Sequence, residues 1–483
     1  EKPLYYYHVD NKVAFASTTY SLREFTGTLS INKAVLTEYL NYGFVPPNSS
    51  IIRGVDKVQP GTFITISKNN KHIKNYWNLE IKNQPHSTEV AMEKIESLLV
   101  SSIRRSLVAD VEVGAFLSGG LDSGLVTALA SKEMENFKTY TMTVPGKSLD
   151  ESKAAGLTAQ YCGTIQKNIE VNEKSFDVLE EVAKSYSEPF ADPSMIPIYL
   201  LSKMVSKYSK VVITGDGGDE GFSAYNRINI FNDIIKNSQF SPKGLMGAMG
   251  DYLWNSPPIL LANRGRYRAR HWLIGKGGID SFLDTQWQLL NYTTAKMLLG
   301  DEVQALIVKE SPIKRLLSEV EDIPDWKKIL YVNIKFELPG DFLNKVDTGT
   351  MHFGLEARCP FLDHDLISYL INLDYITWNN GDSKKGLLEP ILKRYLPNEL
   401  FSFPKRGFSI PLNEYMLDYN IIDKIKKILS TALCVELGLI KRKGIETLIN
   451  WHRSSSRPDY RISRLLFSVV TLEYWLREWY AYE

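Results

Sequence analysis

The sequence predicts an α/β fold built on a doubly wound parallel sheet, with a helical C-terminal part and a β-rich segment in front of the sheet. Short β-branched and aromatic runs alternate with helical patterns between residues 88 and 225, which is typical of parallel strands joined by crossover helices. Segment 3–77 has closely spaced β-type runs separated by DN and NN turns. Beyond residue 225 we expect nearly everything to be helical, because the sequence is rich in Trp and Leu without strand-like alternation.

The individual elements follow from the same patterns. The N-terminal strands are YYYHV, NKVAFAS, GTFITISKNN and KHIKNYW, interrupted by the helical stretch LTEYLNYG. The polar stretch 78–88 is the expected linker, since the periodic helical run VAMEKIESLLVSSIRRSL follows it. The strands of the parallel sheet are VGAFL, FKTYTMTV, TIQKNIEV and KVVIT, with helices in DESKAAGLTAQYCG and MIPIYLLSKMVSKYS. We therefore divide the chain into domains at 1–80 and 81–483.

Length, charge and cysteine usage exclude several classes of function. A chain of 483 residues has room for roughly two or three domains. The 57 basic and 56 acidic residues form no basic stripe, and charges or prolines interrupt every long apolar run, so neither nucleic acid nor a membrane is an expected partner. Cys162, Cys359 and Cys434 lie far apart, which favours a reducing, cytoplasmic location over a disulfide framework.

The stretch LSGGLDSG lies where a predicted strand ends and a helix begins, the edge at which open parallel sheets bind ligands. Gly119 and Gly120 remove side chains so that backbone N–H groups can approach anionic oxygens, and Ser118 and Ser123 add hydroxyl donors. Asp122 would repel a phosphate unless it held a bridging Mg²⁺. The structural alternative is a glycine turn with Asp122 as a helix cap.

The run KVVITGDGGDEGFSAYNR repeats this pattern, with three glycines interleaved with Asp216, Asp219 and Glu220 after a buried strand. An acidic surface loop is the structural alternative. If the two strands are adjacent, Asp122 and Asp219 meet at one crevice and, with phosphate and water, satisfy octahedral Mg²⁺. Neither loop has the GxxxxGK[ST] pattern, which favours chemistry at the α-phosphate over γ-phosphate transfer.

These motifs together resemble one family. SGGLDS is similar to the pyrophosphate loop of the ATP pyrophosphatases, which have the adenine-nucleotide alpha-hydrolase fold. VEVGAFLSGGLDSG, LDES, SEPFADPSMIPIYLLS, TGDGGDE, LEARCPFLDH and FPKRGFSIPL resemble, in this order, the synthetase domain of glutamine-dependent asparagine synthetases. KPLYYY, FAS and LTEYLNYGFVPPNSSIIRGVDKVQPG resemble the rear part of that family's class II glutaminase domain. The resemblance implies a partial α+β glutaminase sandwich ahead of an ATP-pyrophosphatase domain.

The resemblance also implies an ATP-dependent amide ligase. Members of the family adenylate the side-chain carboxylate of aspartate, release pyrophosphate, and transfer ammonia, taken from glutamine in the complete enzyme, to give asparagine and AMP. The implied cofactors are ATP and Mg²⁺, and the implied partners are aspartate and either ammonia or glutamine. The sequence leaves the oligomeric state open, with a homodimer as one arrangement.

Matching motifs assign the nucleotide contacts. By this resemblance Leu117 and Met142 would lie beside the adenosine through backbone and apolar contacts, and residues 118–123 would hold the pyrophosphate. Thr214 and Gly215 would flank the ribose or adenine. The resemblance therefore implies that the nucleotide site is formed by the two glycine-rich loops and one neighbouring strand.

The same resemblance assigns the metal and the catalytic groups. Asp122 and Asp219 would carry Mg²⁺, and Asp216 matches a position used around intermediate formation and ammonia attack, where a fixed negative charge can orient an amine and accept its proton. Lys385, in SKKGLLEPIL, matches the lysine that neutralises charge on the α-phosphate. A solvated helix lysine is the structural alternative, and Lys384 beside it leaves the register open by one residue.

Three further residues are candidates for the substrate pocket. Glu220 belongs to the second glycine-rich loop. Glu356 and Arg358, in LEARCPFLD, either line the aspartate pocket or form a structural ion pair, since buried charges are usually paired. The histidines are isolated and show no metal-binding spacing.

Departures from the family pattern concern the acceptor more than the adenylation step. The family commonly has Arg where Thr348 stands and Glu where Thr18 stands, and the usual His pair is absent from TIQKNIEV. The alternatives are amidation of another carboxylate, or closure of an amide within one substrate, as in the β-lactam synthetases and lasso-peptide cyclases. The acidic triplet of the second loop favours an intermolecular reaction, and the intact loops disfavour a non-catalytic scaffold.

The family's glutaminase uses an N-terminal cysteine whose own α-amino group serves as the base. The first residue here is Glu1, and the three cysteines all follow the expected linker. We therefore expect this sequence to use ammonia and not glutamine, and to begin inside a longer chain. Segment 1–77 is then half of a two-sheet sandwich, with an apolar face that another segment covers.

Overall fold

The N-terminal segment forms two small antiparallel sheets and two helices. Its strands are β1 (Tyr5–Val9), β2 (Lys12–Ala16), β3 (Val55–Lys57), β4 (Thr62–Ser67) and β5 (Asn70–Asn75), and its helices are α1 (Arg23–Thr26) and α2 (Lys33–Tyr42). β1 lies between β2 and β3, and β4 pairs with β5 in a hairpin. The Asn32 side chain caps the start of α2, and Gly43, at φ +83°, ends it in the left-handed conformation. The four predicted strands and the helical insert are present as β1, β2, β4, β5 and α2, whereas β3 and the short helix α1 were not predicted.

The structure is a computed structural model, and structural statements here refer to the residues that it describes. Those are all residues except 1, 10–11, 68–69, 83, 144–149, 172–176, 223–225, 239–242, 257–262, 307–310, 380–384, 405–409, 455–458 and 482–483. Lys384 and the middle of the FPKRGFSIPL motif lie outside the described residues.

A buried carboxylate joins the N-terminal segment to the rest of the chain. Glu188 pairs with Lys57 at 2.6 Å and accepts hydrogen bonds from the Tyr5 hydroxyl at 3.0 Å and the Ile51 N–H at 2.8 Å. Such a set of partners compensates the removal of a carboxylate from water. The buried apolar residues of segment 1–77 accordingly belong to the same hydrophobic core as those of the following helices.

A five-stranded parallel sheet follows, in the order β10-β9-β6-β7-β8. Its strands are β6 (Val113–Phe116), β7 (Lys138–Thr143), β8 (Ile165–Glu170), β9 (Val211–Ile213) and β10 (Glu356–Arg358), and every pairing is parallel. The predicted parallel sheet and its first four strands are therefore confirmed. β6 lies at the centre of the sheet and β9 is its neighbour, so the two glycine-rich loops leave adjacent strands at the same edge.

The fifth strand lies beyond residue 225, in the part of the chain predicted to be nearly all helical, and was not predicted. β10 runs parallel to β9, with Ala357 opposite Val212. It has only three residues, and two of them are charged, so it carries no alternating apolar pattern that a sequence search could detect. The Arg358 carbonyl accepts a hydrogen bond from the Thr214 N–H at 2.9 Å and thereby fixes the start of the second glycine-rich loop.

The remaining described elements are helical. Between the strands lie α3 (Thr88–Ser106), α4 (Leu121–Glu133), α5 (Ser152–Cys162), α6 (Leu179–Ser185), α7 (Met195–Val205), α8 (Gly218–Phe222), α9 (Arg227–Ser238), α10 (Lys243–Trp254), α11 (Asn263–Trp287), α12 (Tyr292–Leu298), α13 (Asp301–Gln304), α14 (Pro312–Ser318), α15 (Asp325–Val332) and α16 (Asn344–Met351). After β10 come α17 (His364–Asn372), α18 (Tyr375–Asn379), α19 (Leu388–Tyr395), α20 (Leu412–Leu417), α21 (Tyr419–Ser430), α22 (Leu433–Glu436), α23 (Arg442–Arg453) and α24 (Tyr460–Tyr480). Within the described residues, no helix has the length and apolar character needed to cross a bilayer.

Helices α15 and α16 are joined by a π-helical segment, Asn333–Leu343, which contains Pro339. A proline inside a helix removes a hydrogen-bond donor, and π-helical turns often occur at functional sites. Two carboxylates of this segment, Glu337 and Asp341, line the cavity described below.

The stretch expected to be a linker packs against the C-terminal helices instead. The Gln84 N–H donates to the Asn372 carbonyl at 2.8 Å, and the Thr377 hydroxyl donates to the His86 carbonyl at 2.8 Å. Leu79 is buried. Leu79, Gln84 and His86 of the expected linker therefore contact the rest of the fold.

Candidate active site

A cavity of about 900 Å³ lies at the carboxyl ends of the parallel strands, and both glycine-rich loops line it. The structure brings together there most of the residues that the sequence singled out. They are Leu117, Ser118, Gly119, Gly120, Asp122, Ser123, Met142, Thr214, Gly215, Asp216, Asp219, Glu220 and Lys385. Glu356 and Arg358 are not among the lining residues.

Hydroxyl groups organise the first loop. The Ser118 and Ser123 side-chain oxygens lie 2.9 Å apart, and the Gly120 N–H donates to Ser118 Oγ at 3.1 Å. Gly120 is the cap residue of α4, so the amino end of this thirteen-residue helix points at the cavity. The Glu151 carboxylate accepts from the Gly119 N–H at 3.4 Å and closes the loop on its other side. The loop thus presents a helix amino end framed by two hydroxyls, which suits an anionic ligand.

Two glycines of the second loop let the two loops touch. A Cβ atom on Gly215 would lie 2.6 Å from the Ser123 backbone nitrogen, and one on Gly218 would lie 2.7 Å from the Asp122 carboxylate carbon. Real Cβ contacts are not that short, so any larger residue at either position would push the loops apart. Gly217 adopts φ +98°, a conformation that favours glycine. The alternation of glycine with acid in GDGGDE is therefore a packing requirement as well as a source of charge.

Lys385 lies between the two carboxylates that the sequence assigned to Mg²⁺. Its Nζ contacts Asp122 Oδ2 at 2.6 Å and Asp219 Oδ1 at 2.7 Å, and its side chain is only 10% exposed. Burial by itself would lower the pKa of Lys385, but the charges and hydrogen bonds of Asp122 and Asp219 raise it above the usual value. The lysine is therefore a fixed cation, which contradicts the interpretation of Lys385 as a solvated helix residue.

The donor set at this point fits a divalent cation. Among the described residues, no group of three or more His, Cys, Asp or Glu side chains forms a metal cage. Asp122 and Asp219, held within reach of a single ammonium group, supply two hard oxygen donors. Mg²⁺ is usually bound by one or two carboxylates, with phosphate and water as its other ligands.

Leu117 and Thr214 hold the ends of strands β6 and β9. The Leu117 N–H donates to the Tyr140 carbonyl at 2.9 Å, and its carbonyl accepts from the Thr141 hydroxyl at 2.8 Å, so the N–H is committed within the fold. The Thr214 hydroxyl lies 3.4 Å from Cys359 Sγ. Burial and the nearby Asp216 raise the pKa of the Cys359 thiol to about 12. Asp216 therefore lies close enough to Cys359 to act on it electrostatically, and it also lines the cavity.

Glu356 and Arg358 pair with each other away from the cavity. Arg358 Nε lies 2.9 Å from Glu356 Oε1, and its NH1 donates to the Ser106 and Val108 carbonyls at 2.9 and 2.8 Å. Glu356 is 41% exposed. Of the two interpretations left open by the sequence, this geometry favours the structural ion pair, which ties β10 to the end of α3.

The charged cavity residues that sequence reasoning left without a role include Asp192, Asp341, Lys345 and Arg464, which we call the four-charge cluster. They line the cavity from separate elements spread over much of the chain. Asp192 lies in the SEPFADPS motif, which was recognised without a role, and Lys345 lies in KVDTGTM. Arg464, in the first turns of α24, had no signal that distinguished it from an ordinary charge on a helix.

The family model described as asparagine synthase matches residues 94–477, and the one described as a glutamine amidotransferase domain matches residues 1–77. The chain belongs to the asparagine synthase family. The structure and this match together confirm the predicted α/β fold class and the predicted family.

Curated relatives agree with this assignment at low identity. The chain is 28% identical over 425 residues to asparagine synthetase [glutamine-hydrolyzing] 1 of Bacillus subtilis, covering 86% of this chain and 65% of that protein. It is 24% identical over 461 residues to a putative asparagine synthetase [glutamine-hydrolyzing] of Mycobacterium tuberculosis, covering 92% and 67%. It is also 23% identical over 443 residues to amidase chry2 of Gibberella zeae, covering 81% and 64%. The chain thus spans about two thirds of the length of these relatives.

Proposed function

We propose that the protein is an ATP-dependent amide ligase that adenylates a carboxylate and then transfers ammonia to it, with the aspartate side chain as the acceptor. The single observation that carries the proposal is the contact between the two glycine-rich loops, which gathers Asp122, Asp219 and Lys385 at the amino end of α4. A helix amino end, a fixed cation and two carboxylates form a site for a nucleotide polyphosphate bound with a divalent metal. Membership of the asparagine synthase family supports the same chemistry.

In the first step, a carboxylate oxygen of the acceptor attacks the α-phosphorus of ATP, and the bond to pyrophosphate breaks. The amino end of α4 and the Ser118 and Ser123 hydroxyls hold the departing pyrophosphate. Lys385, already charged and buried, stabilises the negative charge that develops on the transferring phosphoryl oxygens. Asp122 and Asp219 would hold Mg²⁺, which would supply positive charge to neutralise the phosphate oxygens.

In the second step, ammonia attacks the acyl carbon of the adenylate, the carbon–oxygen bond to AMP breaks, and AMP leaves with that oxygen. The proton lost from the attacking nitrogen needs an acceptor. Asp216 lines the cavity on the second loop and is the carboxylate that we assign to this role. Glu220, buried on the same loop, is assigned to the acceptor side of the pocket.

Further parts of the proposal rest on the family. Segment 1–80 is the C-terminal part of a class II glutaminase-like domain, and segment 81–483 is the synthetase domain. The proposed partners are small molecules. The oligomeric state is not assigned, and a homodimer is one arrangement. Cys162, Cys359 and Cys434 are all free thiols, which supports a reducing compartment such as the cytoplasm.

Pyrophosphate release tests the proposed function. Purified protein should release pyrophosphate when it receives ATP, Mg²⁺, L-aspartate and ammonia, and should form equal amounts of AMP and asparagine. Release with other carboxylates, but not with aspartate, would reassign the acceptor. Release that needs only one substrate bearing both an amine and a carboxylate would favour the intramolecular alternative. Absence of release across a broad panel of carboxylates would contradict the proposal.

A further inference from the structure

The ion pairs of Lys385 use the same carboxylates that we assign to Mg²⁺. Lys385 Nζ lies 2.6 Å from Asp122 Oδ2 and 2.7 Å from Asp219 Oδ1, so one ammonium group bridges the two side chains. All three residues line the cavity, so an ion from solvent can reach them. A metal ion that approaches these carboxylates therefore meets a cation already in place.

Backbone packing holds the two carboxylates close together. Asp122 lies in the first turn of α4, and a Cβ atom on Gly218 would lie 2.7 Å from its carboxylate carbon. Asp219 follows Gly218 directly, in the first turn of α8. Because the loops that carry the two carboxylates are in direct contact, their side chains cannot separate to accept two cations. The ammonium group and a divalent metal repel each other and compete for the same oxygens.

The backbone beside Lys385 is also fixed. Gly386 adopts φ +51°, and a Cβ atom there would lie 2.8 Å from the Trp378 carbonyl oxygen and 3.1 Å from the Phe222 carbonyl oxygen. Phe222 is the last residue of α8, the helix that carries Asp219. A lysine side chain, by contrast, is a flexible four-carbon stem. The ammonium group can therefore leave the carboxylates by rotation of the side chain, without movement of the backbone.

The amino end of α4 offers a second position for that ammonium group once an anion is bound there. Gly120 is the cap residue of α4, and Asp122 lies in the first turn of the same helix. Phosphates held at this helix end therefore lie within about one helical turn of the Lys385 ion pairs. Lysine is a common ligand of phosphate, so the phosphate oxygens compete with the carboxylates for its ammonium group.

We propose that Lys385 occupies the cation position between Asp122 and Asp219 until a nucleotide binds, and that the metal enters this position only together with the nucleotide. Lys385 then moves its ammonium group to the phosphate oxygens and leaves both carboxylates to Mg²⁺. This exchange keeps the nucleotide-free protein from binding the metal. The inference rests on the proposed function and adds to it the order in which the metal and the nucleotide bind.

A permanent structural ion pair is the alternative, and the chain contains one for comparison. Lys57 Nζ lies 2.6 Å from Glu188 Oε2, and the two side chains are 9% and 6% exposed. Neither residue is among those that line the cavity. This pair has the same length and a similar burial to the Lys385 pairs, but it lies away from the glycine-rich loops. Substitution of Lys57 therefore measures what the loss of a buried lysine does by itself.

Binding of Mg²⁺ to the nucleotide-free protein, measured by calorimetry, tests the proposal. We expect Lys385→Met to bind Mg²⁺ at least about 10-fold more tightly than the wild type, because the two carboxylates then lack their resident cation. Lys385→Arg, which keeps the charge, should stay within about 2-fold of the wild type. Addition of Asp219→Asn to Lys385→Met should abolish the gain, which assigns the new affinity to these carboxylates.

Melting temperatures give a second measurement that does not depend on full stability of the variant. Lys385→Met leaves two neighbouring carboxylates without a cation and should melt below the wild type, and saturating Mg²⁺ should restore most of that loss. Lys57→Met should also melt at a lower temperature, but Mg²⁺ should restore none of its loss. Lys393→Met, which removes an exposed ion pair with Glu389, should change neither quantity. A Lys385→Met variant that gains neither Mg²⁺ affinity nor Mg²⁺-dependent melting would overturn the proposal and show a structural role.

The inference and the proposed function fail in different ways. Water-proton relaxation should show that the wild type binds Mn²⁺ together with α,β-methylene-ATP, but not together with adenosine, which has no phosphates. Equally tight Mn²⁺ binding with adenosine, or Mg²⁺ binding by the nucleotide-free wild type as tight as that of Lys385→Met, would overturn the inference and leave the nucleotide chemistry standing. Failure of the wild type to bind α,β-methylene-ATP in the presence of either metal would instead contradict the proposed function.

Discussion

The two ends of the cavity handle buried charge in opposite ways. At the nucleotide end, Lys385 makes two short ion pairs, at 2.6 and 2.7 Å, and the local balance is two carboxylates to one ammonium. In the four-charge cluster, the contacts of Arg464 lie at 3.9 and 4.0 Å, and two buried polar atoms have no partner among the described residues. The nucleotide end has an excess of negative charge that a metal can neutralise, whereas the other end keeps unused hydrogen-bonding groups.

Because of this difference, we expect substitutions at the two ends of the cavity to have different effects. A site whose groups are already in contact with one another has to rearrange when its metal and phosphates bind, so substitutions there should act on the reaction rate. Buried charges whose hydrogen-bonding groups are not all used affect the free energy of folding, so substitutions in the four-charge cluster should act on stability. The predictions below test that contrast, beginning with the largest expected effect.

Removal of one of the two carboxylates that we assign to Mg²⁺ should have the largest effect. We expect Asp122→Asn or Asp219→Asn to reduce pyrophosphate release by about 100-fold or more, because each change removes a hard oxygen donor and a partner of Lys385. Asp301→Asn is the control, since Asp301 is 90% exposed. Near-normal turnover of either variant at saturating Mg²⁺ would show that the assignment of that residue to the metal site is wrong.

Loss of the cation between the two loops should rank second. We expect Lys385→Ala to lower kcat about 100-fold while the KM for ATP changes less than about 3-fold, because the charge matters most as negative charge builds up on the α-phosphate. Lys384→Ala, beside it, should have a small effect. Equal losses in the two variants, or a loss for Lys385→Ala confined to KM, would contradict the assignment.

The four-charge cluster should show opposite pH effects at its two carboxyl groups. The pKa of Asp192 is lowered by folding, so its ionised form contributes stability above pH about 4, and that stability is lost as the pH falls below this value. The pKa of Asp341 is raised, so its ionisation reduces stability as the pH rises above about 4. At pH 7, Asp192→Asn should lower the melting temperature by a few degrees, and Asp341→Asn should leave it unchanged or raise it slightly.

Melting curves of both variants between pH 4 and pH 8 measure this contrast. The difference from wild type should stay nearly constant down to pH 4 for Asp192→Asn, because the Asp192 contribution is lost only below that pH, and should shrink towards pH 4 for Asp341→Asn. A melting temperature that falls equally in both variants at pH 7 would show that the two carboxyl groups have the same environment.

The smallest expected effect concerns the cysteines. Burial raises the pKa of Cys162 to about 11 and, together with Asp216, raises that of Cys359 to about 12, while burial also raises the pKa of Cys434. Few thiolates are present at neutral pH, so iodoacetamide should label the native protein slowly. The same protein given glutamine alone should release no glutamate through these thiols. Rapid labelling, or glutamate release abolished by such labelling, would contradict this expectation.

The two glycine-rich loops at the strand ends could be predicted because each is encoded by one short, continuous stretch of sequence. LSGGLDSG and TGDGGDE each follow a β-rich run directly, and adjacent parallel strands bring such loops together wherever the connecting helices lie. The strand β10 was not predicted, because it has only three residues and the first and third of them are charged. So short a segment shows no alternation of apolar and polar residues. The prediction also did not foresee that the loop glycines are needed for contact between the loops.

The four-charge cluster could not be predicted, because its residues have nothing in common in the sequence. Asp192 precedes α7, Asp341 lies in the π-helical segment, and Arg464 lies in α24. Each resembles an ordinary charge on a helix or loop until the fold buries it. The four-charge cluster is therefore a product of tertiary packing, whereas the contact between the two glycine-rich loops follows from local motifs.

The transfer of oxygen from acceptor to AMP tests the central claim most directly. L-Aspartate labelled with ¹⁸O in its side-chain carboxylate is incubated with ATP, Mg²⁺, ammonia and the protein, and the products are analysed by mass spectrometry. Attack of the carboxylate on the α-phosphorus predicts one ¹⁸O atom in each AMP and none in the pyrophosphate. Label in inorganic phosphate together with ADP, or unlabelled AMP formed at the rate of asparagine, would contradict adenylation of the carboxylate.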